Sequence, residues 1–212
     1  MALPAELMEK KEEVETEPVV KTKGVPKELI YEMRYGRSIY YRDYDQVLKG
    51  EKTCEEVMGS SFLQGVLVGL IYVWLFSKLD KTKFVISTNE TGFKFAPRSW
   101  RNLDIAIFAR EKVKDYKGYN QYIPVAPEVV IEIDTKADLR KYEEPIHYFI
   151  EKVQDLLDAG VKRVIWIFTS SRKMWVCEKG KGWILLDWNV EIEVMEGIKL
   201  NLEKMAKEYG II

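Results

Sequence analysis

Three acidic residues of the sequence lie inside apolar segments that are typical of β-strands. Glu132 and Asp134 belong to the segment VVIEID (129–134), and Asp104 belongs to LDIAIFA (103–109). Because side chains alternate along a strand, Glu132 and Asp134 share the face opposite to the apolar row. An acid in such a strand is costly unless it is solvated, paired or bound to metal. Converging carboxylates are the usual site for Mg²⁺, completed by waters and substrate phosphate.

Each acid also has an ordinary interpretation. The face that carries Asp104 could be the solvated side of an antiparallel sheet. The combination is harder to explain in this way, because a strand of a βαβ unit is usually covered on both faces. Glu132 and Asp134 are therefore not expected to lie together at a solvated surface.

Lys152 is the candidate cation beside these acids. It belongs to a helix predicted from about Pro145 to Ala159, in which Ile146, Ile150, Val153 and Leu157 mark the buried stripe. Lys152 lies next to that stripe, so its stem could follow apolar surface while its ammonium reaches the carboxylates of the sheet. The alternative is an ordinary lysine on the flank of the helix.

The composition excludes several other chemistries. The chain has 212 residues, with 33 basic and 34 acidic side chains, so no global positive field attracts nucleic acid and any such partner needs a local patch. His147 is the single histidine, which argues against histidine-based triads and excludes multi-histidine metal sites. Cys54 and Cys177 have no CxxC spacing, and two lone thiols fit a reducing compartment, so we expect a cytoplasmic protein.

The polar residues 1–25 predict a flexible tail, and residues 26–212 predict one domain. Tyrosine-rich residues 29–41 are typical of two short strands around a turn. Thr53 with Glu56, and Ser61 with Gln64, are capping-box pairs, the second opening a long apolar helix that ends near Leu79. Its 15-residue apolar stretch, 62–76, is shorter than the ~20 residues that span a membrane, which favours a buried helix and no membrane contact.

The remaining periodicity predicts an α/β fold with a mixed sheet. Strands are expected at 83–87, 92–96, 103–109, 129–134 and 165–168. The helix between the last two makes a βαβ unit with parallel strands and a right-handed crossover. A hairpin of 174–177 with 183–187 and a helix over 200–208 complete the chain.

The order of these motifs resembles the PD-(D/E)XK nuclease superfamily, and within it the Uma-type family of restriction endonucleases. Asp104 followed 28 positions later by Glu132 is similar to the split acidic motif of the superfamily. The matching elements are Tyr31-Glu32 with Gly36, Leu103-Asp104, Pro127 with Glu132, and Lys152 with Gly160-Val161 and Ile165-Trp166. Leu103 replaces the usual proline, and Leu156 lies where tyrosine is common. Asp134 occupies the position of the superfamily's typical lysine.

The resemblance implies a restriction-endonuclease-like core, a mixed sheet flanked by helices with a long N-terminal helix. It implies hydrolysis of DNA phosphodiester bonds with Mg²⁺, or with Mn²⁺, held by Asp104 and Glu132. Asp134 could bind a second ion or tether a lysine. Lys152 takes the part of the missing lysine, and Lys136 is its rival. Glu32 and Gln64 could complete the metal shell or be structural polar groups.

The expected DNA contacts lie in three basic clusters next to the motif strands. They are Arg98 with Arg101, then Lys112 with Lys114 and Lys117, then Lys136 with Arg140 and Lys141. A homodimer would supply two sites for two strands. Two other classes stay open: a catalytically silent nucleic-acid-binding or scaffold protein on the same fold, and a nuclease-like subunit that needs a partner.

Overall fold

The computed structural model describes residues 24–117 and 120–212, so the predicted tail at 1–25 lies almost wholly outside the described residues. Eight strands within those ranges form one mixed sheet. In chain order they are β1 (Ile30–Arg34), β2 (Arg37–Tyr40), β3 (Phe84–Ala96), β4 (Ser99–Ala109), β5 (Val129–Ile133), β6 (Arg163–Phe168), β7 (Lys173–Glu178) and β8 (Ile184–Asp187). A separate hairpin joins β9 (Ile192–Met195) to β10 (Ile198–Leu200).

The sheet has the order β2-β1-β4-β5-β6-β7-β8, and β3 pairs with β4 beside this path. β5 and β6 run parallel, while the other neighbouring strands of this sheet are antiparallel. A helix connects β5 to β6, as a parallel pair requires, so the predicted βαβ unit is confirmed. The long strand β4 contacts β1, β3 and β5 and therefore carries its side chains through the middle of the fold.

The helices cover both faces of the sheet. They are α1 (Tyr44–Leu48), α2 (Cys54–Met58), α3 (Phe62–Lys78), α4 (Arg110–Val113), α5 (Pro145–Asp158) and α6 (Leu202–Glu208). α3 packs Leu67, Ile71 and Leu75 into one core with the isoleucines of β4, β5 and β6. α5 packs Tyr148 and Val153 into the core of the opposite face. Burial of each such side chain contributes about 1.5–3 kcal/mol.

Two expectations about the helices need correction. The long helix is not N-terminal among the described residues, because a hairpin and two short helices precede α3. On α5, Ile146 and Ile150 are exposed instead of buried. The buried face of α5 is displaced from the predicted stripe toward Tyr148 and Lys152, since the helix buries charged side chains as well as apolar ones. In the described ranges, no helix has the length and apolarity that crossing a membrane requires.

Candidate active site

Asp104 and Glu132, called the acid pair below, lie on the adjacent strands β4 and β5. The antiparallel register of these strands pairs Ile105 with Ile131, and its continuation by one residue brings Asp104 opposite Glu132. Asp104 is buried, and its Oδ2 accepts a hydrogen bond of 2.7 Å from the backbone N–H of Ile133. Burial raises the pKa of Asp104, and the Ile133 N–H opposes that rise without cancelling it.

Glu132 is fully buried, and only one of its two carboxylate oxygens has a hydrogen-bond partner among the described residues. Its Oε2 accepts a hydrogen bond of 3.0 Å from Nζ of Lys152. Its Oε1 has no hydrogen-bond partner in the part of the chain that the structure describes. Burial raises the pKa of Glu132 well above the ordinary value; the Lys152 charge opposes this, whereas the Asp104 and Glu32 charges add to it. An unpaired buried carboxylate oxygen is costly, so this atom marks a place for a cation or another donor.

Lys152 reaches the acids from α5, as predicted. Its Nζ lies 3.0 Å from Glu132, 2.8 Å from Glu32 Oε1 and 2.7 Å from the carbonyl oxygen of Asn102. An ammonium group has three donors, and these acceptors use all of them. Burial lowers the pKa of Lys152, but the charges of Glu132 and Glu32 outweigh it and the pKa is raised. Lys152 is therefore a buried ammonium and not a helix-flank lysine.

Lys152 belongs to a buried network of charged side chains, which it joins through Glu32. Glu32 Oε2 accepts hydrogen bonds of 2.8 Å from Arg101 and 3.0 Å from the Tyr148 hydroxyl. Arg101 also lies 2.5 Å from Asp155 of α5. Burial raises the pKa of Glu32, but the charges of Lys152 and Arg101 outweigh it and the pKa is lowered. The network alternates in sign, which is the condition under which buried charges are tolerated.

This network corrects the role expected for Arg101. The sequence placed it in a basic cluster for DNA, but its side chain is fully buried and belongs to the ion network. Its partner Asp155 and the acceptor carbonyl of Asn102 had no signal of their own in the sequence. Asp155 lies three residues after Lys152 on α5, so a search for charges at helical spacing from Lys152 would have found it.

Asp134 does not join the acid pair. Its carboxylate accepts hydrogen bonds of 2.9 Å from the backbone N–H and 2.6 Å from the hydroxyl of Thr169, at the end of β6. Its backbone is left-handed with φ 54°, which ends the strand alternation on which the prediction relied. Among the described residues, no three carboxylate, imidazole or thiol groups gather closely enough to hold a metal ion. The three-carboxylate cluster expected from the sequence is therefore not formed.

A cleft of about 510 Å³ opens beside the acid pair, and we call it the cleft below. Its polar lining includes Gln64, Asp134, Thr135 and the cations Arg42, Lys52 and Lys136, and its apolar lining includes Val57, Leu139, Phe149 and Phe168. Asp104 and Glu132 do not line it, whereas Gln64 does and also contacts Asp104. Gln64 thus separates the cleft from the acid pair.

Lys136 lies in the wall of the cleft. Its Nζ donates a hydrogen bond of 2.9 Å to the carbonyl oxygen of Met58 and forms an ion pair with Glu90. The side chain of Lys136 is 10% exposed, against 0% for Lys152, so the expected difference in exposure is present but small. The two candidate lysines therefore occupy different places: Lys152 contacts Glu132 in the interior, and Lys136 faces the cleft.

The other predicted basic clusters are largely paired. Lys112 lies 2.5 Å from Glu128, and Lys114 lies 2.5 Å from Glu111. Arg140 pairs with Asp138 at 2.8 Å and with Asp45 at 2.6 Å. Because these three side chains are already paired, they add less net positive potential than the sequence suggested.

A comparison with solved structures identifies the fold. A solved structure described as a putative nuclease belonging to DUF820 from Anabaena variabilis ATCC 29413 is similar to this chain, with a TM-score of 0.58 and 14% sequence identity. The similarity covers 83% of this chain and 89% of that one. At this identity the comparison shows the shared fold.

The family follows from a second comparison. The family model described as "Uma2: Putative restriction endonuclease" matches residues 53–203, which is most of the chain and includes the acid pair and Lys152. The chain therefore belongs to this family. A search among curated proteins found no match.

Proposed function

We propose that this chain is a nuclease that hydrolyses DNA phosphodiester bonds with the help of a divalent cation. The observation that carries the proposal is the acid pair on adjacent strands, with the Lys152 ammonium 3.0 Å from Glu132, next to a cleft with cations in its wall. The family match supports nuclease chemistry. The test is cleavage of supercoiled plasmid by the purified chain in Mg²⁺, with loss of cleavage in EDTA.

The donor set suits a hard cation. The Asp104 carboxylate, the unpartnered Oε1 of Glu132 and the carbonyl oxygen of Ile133 are oxygen ligands from neighbouring positions of β4 and β5. Mg²⁺ and Mn²⁺ prefer such ligands and keep several waters, so two carboxylates and one carbonyl are enough. Asp134 is engaged by Thr169 and is not included in this set.

A divalent cation bound there would polarise the scissile phosphate and lower the pKa of an attacking water. The chain's own residues supply the rest. Lys152 is a positioning residue, because its three donors fix Glu132, Glu32 and the Asn102 carbonyl and leave none for a substrate. Its charge also offsets the buried acids. Lys136, in the cleft wall, is the lysine placed to contact a backbone phosphate of bound DNA.

DNA would reach the acid pair through the cleft. Arg42, Lys52 and Lys136 line it, together with the acids Asp43 and Glu56. Lys52 pairs with Asp43 at 2.8 Å and Lys136 pairs with Glu90, so Arg42 is the cation of this lining best placed for a backbone phosphate. The apolar side chains of Phe149 and Phe168 lie in the same lining and offer surface for the sugar or base. Each phosphate contact that is lost should weaken binding in a salt-dependent way. Arg42→Ala should reduce DNA affinity and flatten its salt dependence in a fluorescence-anisotropy titration.

We also propose that the chain acts as a homodimer, since cutting both strands requires two sites. The outer face of α3 is the surface to test, because Phe62, Val73 and Phe76 are exposed there. Residues 62–77 carry no charged side chain, which is unusual for an exposed helix face. Val73→Lys should convert a dimer to a monomer in light scattering. An unchanged mass for this variant would rule out this face.

A second candidate, a catalytically silent DNA-binding protein, is favoured by one observation. Asp134 replaces the typical lysine, and Lys152 has no donor free for a substrate. This candidate predicts DNA binding in the anisotropy titration without plasmid cleavage in Mg²⁺ or Mn²⁺. Cleavage that depends on the acid pair would exclude it.

A further inference from the structure

Gln64, near the start of α3, uses its side chain in an unexpected way. The sequence pairs it with Ser61 in a capping box, and Ser61 does accept the backbone N–H of Gln64 at 3.2 Å. The other half of the box, a bond from the Ser61 N–H to the Gln64 side chain, is not among the bonds of the described chain. The Gln64 side chain instead points to β4 and β5, so it has a task other than helix capping.

That task is to contact the carboxylate oxygens of Asp104 and the carbonyl oxygen of Ile133. Nε2 of Gln64 lies 3.4 Å from both carboxylate oxygens of Asp104 and 3.0 Å from the carbonyl oxygen of Ile133. These oxygens belong to the set that the proposed function assigns to a divalent cation. A side-chain amide has two N–H donors. It can therefore satisfy these oxygens in the absence of a cation, although at 3.4 Å the bonds to Asp104 are weak.

The surroundings of Gln64 allow this contact to be released. Gln64 lines the cleft, whose volume leaves room for the amide to rotate. The residues just before it, Gly59, Ser60 and Ser61, are exposed, so the start of α3 is not packed in the interior. The amide can leave Asp104 without disturbing Leu67 or the rest of the buried core. Rotation of Gln64 would open the acid pair to the cleft.

We infer that Gln64 is a positioning residue whose amide substitutes for the divalent cation in the ion-free protein and is displaced when the cation enters from the cleft. The inference rests on the proposed function, because it assumes a cation at the acid pair. It adds that cation binding competes with an internal hydrogen-bond donor. The more molecules have the Gln64 amide in contact with Asp104, the weaker the apparent affinity for the cation becomes.

The test measures Mn²⁺ binding to the full chain, without DNA, from the loss of the electron paramagnetic resonance signal of free Mn²⁺. Gln64→Met keeps the length of the side chain and removes the donor. It should bind Mn²⁺ about 3- to 10-fold more tightly than wild type, the range expected for losing one net hydrogen bond of the closed state. The Gln64→Met variant in EDTA should also unfold at a lower temperature than wild type.

Two controls separate the possible failures. Gln154→Met makes the same change at an exposed position of α5, where Gln154 bonds Asp158. This variant should leave Mn²⁺ affinity unchanged. Asp104→Asn should weaken Mn²⁺ binding at least 10-fold, since it removes a ligand charge. If wild type binds Mn²⁺ and Gln64→Met binds equally or more weakly, the inference is overturned while the cation site stands. If no variant binds Mn²⁺, the proposed cation site itself fails, and the inference fails with it.

Discussion

Two glutamates, one at each end of β5, differ in how they pair with lysine. Glu132, near the end of the strand, is fully buried and meets one ammonium from Lys152, while its Oε1 stays without a hydrogen bond in the described chain. Glu128, just before the strand, lies 2.5 Å from both Lys112 and Lys162. The two glutamates are four residues apart, about 13 Å along a strand.

Their surroundings move the two pKa values in opposite directions. For Glu128, burial raises the pKa, but hydrogen bonds with Lys112 and Lys162 outweigh it and the pKa is lowered. For Glu132, burial dominates and the pKa is raised, because the Lys152 charge is opposed by Asp104 and Glu32. Lys112 and Lys162 are 44% and 73% exposed and so remain solvated, whereas Lys152 is 0% exposed. At one end of β5 a buried glutamate is therefore paired with solvated lysines, and at the other end both the glutamate and its lysine are buried.

The largest expected difference is in cleavage. Glu132→Gln should reduce Mg²⁺-dependent plasmid cleavage by about 1,000-fold, because it removes a ligand charge from the acid pair. Glu128→Gln makes the same change 13 Å or so away along the strand and should leave the rate unchanged. Equal losses in both variants would show that the two ends of β5 are not functionally different.

A smaller effect is expected for the buried lysine. Lys152→Met should lower the cleavage rate at least ~100-fold, the scale for losing a charge that positions and offsets an active-site acid. Because it leaves Glu132 and Glu32 without their shared cation, it should also destabilise the fold by about 3–5 kcal/mol. Rates should be normalised to the folded fraction from circular dichroism. Lys162→Met, at the Glu128 end, is the matched control and should change neither quantity appreciably.

Substitution of Lys136, the lysine of the cleft, should reduce cleavage less than substitution of Lys152. Lys136→Ala removes a single cation from a wall that also contains Arg42 and Lys52, so the cleavage rate should fall about 10-fold, and mostly through weaker DNA binding. Measuring the rate at saturating DNA separates the two contributions. A loss in Lys136→Ala larger than in Lys152→Met would move the main lysine role to the cleft.

The smallest effects are on stability, and they have opposite signs. The lowered pKa of Glu128 means that its charge stabilises the fold above its unfolded pKa, about 4.3, and that this contribution is lost as pH falls further. Glu128→Gln should thus cost about 1 kcal/mol at pH 7, and this cost should shrink progressively as pH falls below about 4.3. The raised pKa of Glu132 has the reverse consequence: stability is lost as pH rises above its unfolded pKa. Urea unfolding across pH should show Glu132→Gln more stable than wild type at pH 7 and equal to it in acid.

Much of the fold follows from local patterns in the sequence. The hairpin of β1 and β2, the capping box at Thr53, the limits of α3 and α5, and the βαβ unit are all as predicted. These features depend on periodicity and on short-range capping, which a single sequence displays. The β9–β10 hairpin and α1 were not anticipated, because their segments are short and carry little periodic signal.

The site was predictable only in part. The strand patterns pointed to Asp104 and Glu132, and helical spacing pointed to Lys152. Most of the departures have one physical cause, which is that buried polar and charged side chains bind partners far away in the chain. Arg101 binds Glu32 and Asp155, and Gln64 binds Asp104 instead of capping its own helix. Asp134 differs for another reason: its left-handed backbone breaks the alternation that the prediction assumed, and its carboxylate bonds Thr169.

The central claim is that Asp104 of β4 and Glu132 of β5 together form the catalytic site. Its most direct test is the rate of supercoiled plasmid cleavage against Mg²⁺ concentration for wild type and Asp104→Asn, with both proteins shown to be folded. The account predicts cleavage by wild type that rises with Mg²⁺ and vanishes in EDTA, and at least a 1,000-fold lower rate for Asp104→Asn. Cleavage by Asp104→Asn at the wild-type rate and with the same Mg²⁺ dependence would contradict it.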